Sequence, residues 1–344
     1  MSTTSRRFTL ASRPVGEPTP ANFALETVPV PEPGPGQALV RTIYLSLDPY
    51  MRGRMSDAKS YAKPVEIGET MIGGTVGEVV ASSTPELSAG QIVVGQWGWS
   101  EHAVVSPKAV RVLDPAAAPV STALGVLGMP GMTAYVGLTR IGEPKSGETV
   151  VVSAASGAVG AIAVQLAKLR GCRAVGIAGG AAKCAYVVDE LGADACVDHR
   201  GSDLPAALRE ACPKGIDVYF ENVGGPVWDA VMPLLNAFAR VPLCGLIATY
   251  NATRLPEGPD RLPQLMGLML RQRLTVRGFI VSEHWDLMPA FQNEVAPLVR
   301  AGKLKYREDI VEGLAAAPEA FLRLLRGENF GKQLVRVGPD PTRG

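Results

Sequence analysis

The sequence predicts a doubly wound α/β domain that follows a β-rich domain. Three observations carry this. From residue 149 onward, short β-branched runs alternate with amphipathic segments for about a hundred residues, as parallel strands and crossover helices do. The first stretch of the chain, to about residue 120, is instead rich in Gly, Pro and β-branched residues. Between the two styles, residues 150–160 (V-V-V-S-A-A-S-G-A-V-G) read as a buried strand, a tight turn and the start of a helix.

In chain order, residues 38–45, 74–80 and 92–97 read as strands parted by turns, the pattern of a partial barrel. Residues 29–36 are a Pro/Gly-rich surface turn. Residues 127–140 read as a loop and then a helix. Strands and helices then alternate over 149–154, 158–170, 173–177, 181–191, 195–197, 217–221, 227–236 and 239–244. An amphipathic stretch (261–270), a strand (274–281) and a helix (287–301) follow. After residue 305 come one strand (309–311), one helix (318–326) and a final strand (332–337). That set is too small for a domain, so a return to the N-terminal β domain is one way to bury it.

Composition excludes several function classes. The chain has 344 residues, enough for two cores, with 47% hydrophobic and 19% charged residues, as in a globular protein. A net charge of +1 gives no basic surface for nucleic acid. No apolar run approaches the ~20 residues of a membrane span. The start, M-S-T-T-S-R-R-F, lacks the apolar core of a signal peptide, so the expected compartment is the cytoplasm. The five cysteines (Cys172, Cys184, Cys196, Cys212, Cys244) form no C-x-x-C pair and read as small buried hydrophobes in a reducing compartment. His102, His199 and His284 are far apart and show no metal-ligand spacing, so no metal site is expected.

The 150–160 segment carries the first chemistry. Its spacing is A-x-x-G-x-x-G, with Ala154 in place of the first glycine of a dinucleotide-binding turn. Behind it, Val159, Ile162, Ala163 and Leu166 form one apolar helix face. Backbone N–H groups near Gly157, Ala158, Val159 and Gly160 would approach a pyrophosphate, which the helix dipole favours. The second strand ends I-A-G-G-A-A-K, with no acid to hold ribose hydroxyls. Lys183 suits a 2′-phosphate as a point charge, which favours NADPH/NADP+ over NAD; the plainer alternative is a solvated helix lysine. Tyr250 falls beyond the carboxyl end of a central strand, where open α/β sheets bind ligands. Its phenol could donate to a developing enolate oxygen, or it could be a packing or surface tyrosine.

Several motifs together resemble a known family. They are L-S-L-D-P-Y-M-R (45–52), G-M-P-G-M-T-A-Y (128–135), Y-F-E-N-V-G-G (219–225), T-Y-N (249–251) and E-N-F-G-K (328–332). The chain resembles the zinc-independent medium-chain dehydrogenase/reductase superfamily, in its prostaglandin reductase, alkenal double-bond reductase and curcumin reductase branch. The resemblance implies a GroES-like catalytic domain (1–125, completed by 306–344), a Rossmann NADPH-binding domain (126–305) and an active site in the cleft. Where zinc-dependent relatives carry a G-H-E motif, this chain has G-G-T-V-G-E (73–78), without histidine.

The resemblance also implies residue roles. Gly157 and Gly160 would face the pyrophosphate and Lys183 the 2′-phosphate. Met129, Thr133, Asn222, Cys244, Gly245, Ile247, Tyr250, Phe279, Ile280, Val281 and Asn329 would line the rest of the cofactor site. Tyr50 and Tyr250 would flank the substrate carbonyl, with Tyr61 at the mouth. His199 stands where many members have a tyrosine beside the 2′-phosphate. The implied activity is NADPH-dependent reduction of the C=C bond of enals and enones, by a homodimer without metal. A quinone reductase and a non-catalytic NADPH-binding protein are the alternatives.

Overall fold

The computed structural model describes residues 4–255 and 257–343. Two units separate: one runs to Gly125 and resumes at Glu308, and the other spans Val126–Arg307.

In the first unit, β1 (Thr4–Leu10) pairs antiparallel with β2 (Phe23–Pro29). The main sheet holds β3 (Ala38–Ser46), β4 (Thr75–Ser82), β5 (Ile92–Gly95), β6 (His102–Val105) and β7 (Arg111–Leu113). β3 is buried along almost its whole length, consistent with its apolar sequence A-L-V-R-T-I-Y-L-S. A short helix, α1 (Tyr50–Arg54), follows β3 directly.

The second unit is a six-stranded parallel sheet of β8 (Thr149–Ser153), β9 (Arg173–Ala178), β10 (Ala195–Asp198), β11 (Ile216–Phe220), β12 (Leu235–Leu243) and β13 (Thr275–Gly278). Their order is β10-β9-β8-β11-β12-β13. The chain direction of winding reverses between β8 and β11, so this is a Rossmann sheet with its switch point there. All five residues of β8 are buried, as a strand covered on both faces requires. Its helices are α2 (Met129–Val136), α3 (Gly160–Leu169), α4 (Ala181–Ala185), α5 (Leu204–Ala211), α6 (Gly225–Val231), α7 (Leu262–Gln272) and α8 (Met288–Arg300).

Three sequence expectations shift. The expected helix at 227–236 ends early: Pro233 follows α6, and β12 already starts at Leu235. Phe238, at φ +63°, bulges that strand, and its register against β11 shifts between Ile216 and Val218. The strand expected over 274–281 leaves the sheet at Gly278, and a helical turn begins at Val281. β12 is also the neighbour of the edge strand, so Tyr250 follows a penultimate strand rather than a central one.

The C-terminal segment supplies β14 (Glu308–Glu312), α9 (Ala317–Leu325) and β15 (Lys332–Arg336) to the first unit. β15 runs antiparallel to β3 and parallel to β14. Along α9, Ala317, Ala320, Phe321 and Leu324 are buried at helical spacing. Phe321 meets Trp99 edge-on at 5.8 Å, and Trp99 stacks on Phe23 at 5.4 Å. One aromatic core thus joins both ends of the chain.

Candidate active site

The turn after β8 is tight because its residues are small. Ala154 takes φ +50°, the left-handed conformation that the missing glycine would adopt freely. Gly157 N–H donates to Ala154 O at 2.9 Å and closes the turn. Gly160 is obligatory: a β-carbon there would lie 2.3 Å from Ala154 O. Gly157, Ala158 and Val159 are half-buried, and the first turn of α3 carries no acid. The start of the helix is therefore open to an anion.

At the ends of β9 and β10, basic side chains converge on Gly179. A β-carbon on Gly179 would lie 2.8 Å from His199 Nε2 and 3.0 Å from Arg200 Nε. Asp198 fixes this corner by accepting from Gly180 N–H (2.8 Å) and Arg200 N–H (2.9 Å). These amides hold its carboxyl below the usual range. Lys183 enters from α4, half-buried. Partial desolvation, the Arg200 charge and the Lys183 charge push His199 below its ordinary value, against Asp198. Three basic groups held together in this way fit a phosphate dianion. Arg200 escaped the sequence reading; its only sequence signal is its place next to His199.

A testable pH dependence goes with this corner. A 2′-phosphate at this corner would raise the depressed His199 pKa, and NADPH binding would then take up a proton between the free and bound values. NADPH affinity is expected to fall as pH rises through the bound-state value, whereas NADH affinity stays flat. The cofactor phosphate itself titrates near ~6, so calorimetric titrations belong above that pH. His199→Phe should flatten the NADPH profile; an unchanged slope would place His199 away from the phosphate.

At the switch point, β8 and β11 are tied by side chains. Ser153 Oγ donates to buried Glu221 Oε1 (2.9 Å) and accepts from Asn222 N–H (2.8 Å). Asn222 Nδ2 donates to Ser153 O at 2.8 Å, and Val223 N–H to Glu221 Oε1 at 2.6 Å. Neither Ser153 nor Glu221 was singled out from sequence, although Glu221 lies inside the Y-F-E-N-V-G-G motif. The next segment hangs from the same strand: Cys244 and Gly245 N–H donate to Glu221 O, and Ile247 N–H donates to Asn222 O. Tyr250 is half-buried and curls back, its Oη accepting from Leu246 N–H at 3.3 Å. Burial, with Glu221 adding to it, pushes the Cys244 thiol up to about 12, so it stays protonated and is no nucleophile.

The remaining residues of this unit fall into two groups. Phe279 is buried edge-on against Phe220 at 6.4 Å, and Ile280 and Val281 follow it half-buried. In α2, Thr133 Oγ1 donates to Met129 O at 2.7 Å, so its proton is engaged within the helix.

The first unit holds Tyr50, Tyr61 and Asn329. Tyr50 opens α1 behind a buried pair: Lys332 Nζ contacts Asp48 Oδ1 (2.8 Å) and Leu47 O (2.7 Å). Ser46 Oγ donates to the other Asp48 oxygen. Desolvation and the Asp48 charge raise Tyr50 well above the ordinary phenol value, so it remains a proton donor. Tyr61 is exposed, with the Arg54 guanidinium 4.5 Å from its ring centre. Asn329 Nδ2 donates to Gly331 O at 2.8 Å, which shapes the turn into β15. Among the described residues, no group of three His, Cys, Asp or Glu is placed to hold a metal ion.

Two family models match the chain: the N-terminal domain of oxidoreductase over residues 6–113 and zinc-binding dehydrogenase over residues 158–299. It is 53% identical to the NADPH-dependent curcumin reductase of Escherichia coli, over 98% of each chain. It is 40% identical to the 2-alkenal reductase (NADP(+)-dependent) of Nicotiana tabacum, over 88% of each. The crystal structure of CurA from Vibrio vulnificus in complex with NADPH is 52% identical, with a TM-score of 0.94 over 97% of this chain and 100% of that one. A basic corner in place of the ribose-binding acid agrees with that cofactor, and the chain belongs to the zinc-independent, NADP-dependent oxidoreductases of the medium-chain dehydrogenase/reductase superfamily.

Proposed function

We propose that this protein reduces carbon–carbon double bonds conjugated to a carbonyl, in enals and enones, with NADPH. The observation that carries the reading is Tyr250, a phenol held on a Rossmann segment anchored to the switch-point network. Bound NADPH supplies a hydride, which goes to the β-carbon. Negative charge then develops on the carbonyl oxygen, and Tyr250 Oη–H donates to it. Tyr50, kept protonated by its surroundings, is a second donor. The α-carbon receives its proton from a tyrosine or from water.

The proposed cofactor roles are those the resemblance implies, with Arg200 added from the corner around Gly179. Gly157, Ala158, Val159 and Gly160 meet the pyrophosphate. Lys183, His199 and Arg200 meet the 2′-phosphate. Asn222, Cys244, Gly245, Ile247, Phe279, Ile280, Val281, Met129, Thr133 and Asn329 line the remainder, and Tyr61 shapes substrate entry.

A homodimer is the proposed assembly. Leu262, Met266 and Leu270 form an exposed apolar row along α7, and β13 is the outer strand of its sheet. The cytoplasm is the proposed compartment, in line with five cysteines that form no disulfide. No helix among the described residues is long and apolar enough to cross a membrane.

The test is NADPH oxidation with an enal, an enone and a quinone, repeated with Tyr250→Phe. The enal and enone should turn over, and the variant should lose roughly 10- to 100-fold in kcat with little change in KM. Turnover of the quinone alone would favour a quinone reductase, and no turnover at all a binding protein.

A further inference from the structure

In the first unit, Arg54 is a buried cation with no opposite charge paired to it among the described residues. Arg54 closes α1 and is only 9% exposed. Its guanidinium lies 4.5 Å from the Tyr61 ring centre and 5.9 Å from that of Tyr50. Neither ring carries a negative charge, so stacking offsets only part of the cost of removing a guanidinium from water. Among the described residues no carboxylate pairs with it. The acids of this segment are taken: Asp48 by Lys332 and Ser46, and Glu66 and Asp57 by Arg13 at 3.0 and 3.9 Å. Lys59 and Lys63, exposed on the same loop, add positive charge.

A planar cation lying against two tyrosine rings, with no carboxylate partner among the described residues, suits a planar anion. We infer that Arg54 is a specificity residue that receives a carboxylate on the substrate, so that the preferred enones and enals are acids. This rests on the enone-reductase reading, in which Tyr50 faces the substrate. Tyr50 then meets the reacting carbonyl end, and Arg54 and Tyr61 meet the acidic end. The fork of the guanidinium matches two carboxylate oxygens, which a lysine would not.

The test uses a medium-chain alkenone bearing a terminal carboxylate and its methyl ester, which differ in charge and little in shape. At saturating NADPH, the wild type should favour the acid over the ester by about tenfold or more in kcat/KM, mainly through KM. Arg54→Gln should bring the acid-to-ester ratio near one, and Arg54→Lys should leave it in between. A merely structural role would lower both substrates together and keep the ratio. An acid-to-ester ratio near one in the wild type, or one unchanged in Arg54→Gln, overturns the assignment. Ester turnover reports on the enone-reductase reading alone. Failure of that reading therefore appears as no turnover of either compound, and failure of the carboxylate assignment as equal turnover of both.

Discussion

Lys332→Met should destabilise the β-rich unit by about 3–5 kcal/mol, the largest stability effect expected of any single substitution here. Lys332 and Asp48 are 4% and 8% exposed at the side chain, and their contact ties β15 to the residues before α1. Removing the ammonium leaves a buried carboxylate with Ser46 as its remaining side-chain partner. The cost arises from that stranded charge rather than from the strength of the pair. Asp48→Asn combined with Lys332→Met should therefore recover most of the loss. At roughly 2–4 °C per kcal/mol, the single variant should melt about 10 °C lower. A shift of only a degree or two would mean that the pair is hydrated.

The second large effect is on cofactor choice. Lys183→Ala should weaken NADPH by about 10- to 150-fold, the range for one hydrogen bond to a charged group, and leave NADH nearly unchanged. His199 and Arg200 remain at the corner around Gly179, so discrimination should drop without vanishing. Fluorescence titration with both cofactors reads this directly. Equal loss of both would show that Lys183 supports the fold of α4 rather than the phosphate.

Legibility followed the range of each signal. The strand–turn–helix at 149–160 was readable because everything it needs is local: three valines, small turn residues and a helical repeat. The return of the C-terminal segment was not, because β15 pairs with β3 and Phe321 meets Trp99 across more than half the chain. Local irregularity hid the start of β12, where Phe238 breaks the alternation that marks a strand. Within the candidate site, Lys183 could be nominated from sequence because an acid was missing from the end of the preceding strand. Arg200 and Glu221 could not, because a charge beside a motif gains meaning only when the fold shows what it faces. Arg54 is the extreme case: it follows a recognisable motif by two positions, and only the two rings around it and the pairing of its acidic neighbours mark it out.

The central claim is hydride delivery to the β-carbon of a conjugated carbonyl. Reduction of an enone with NADPH deuterated at the transferred position, followed by NMR of the product, tests it most directly. The expected product is the saturated ketone with deuterium on the β-carbon and a solvent proton on the α-carbon. An allylic alcohol with deuterium on the former carbonyl carbon would contradict the claim, because the oxygen would then have been reduced in place of the double bond.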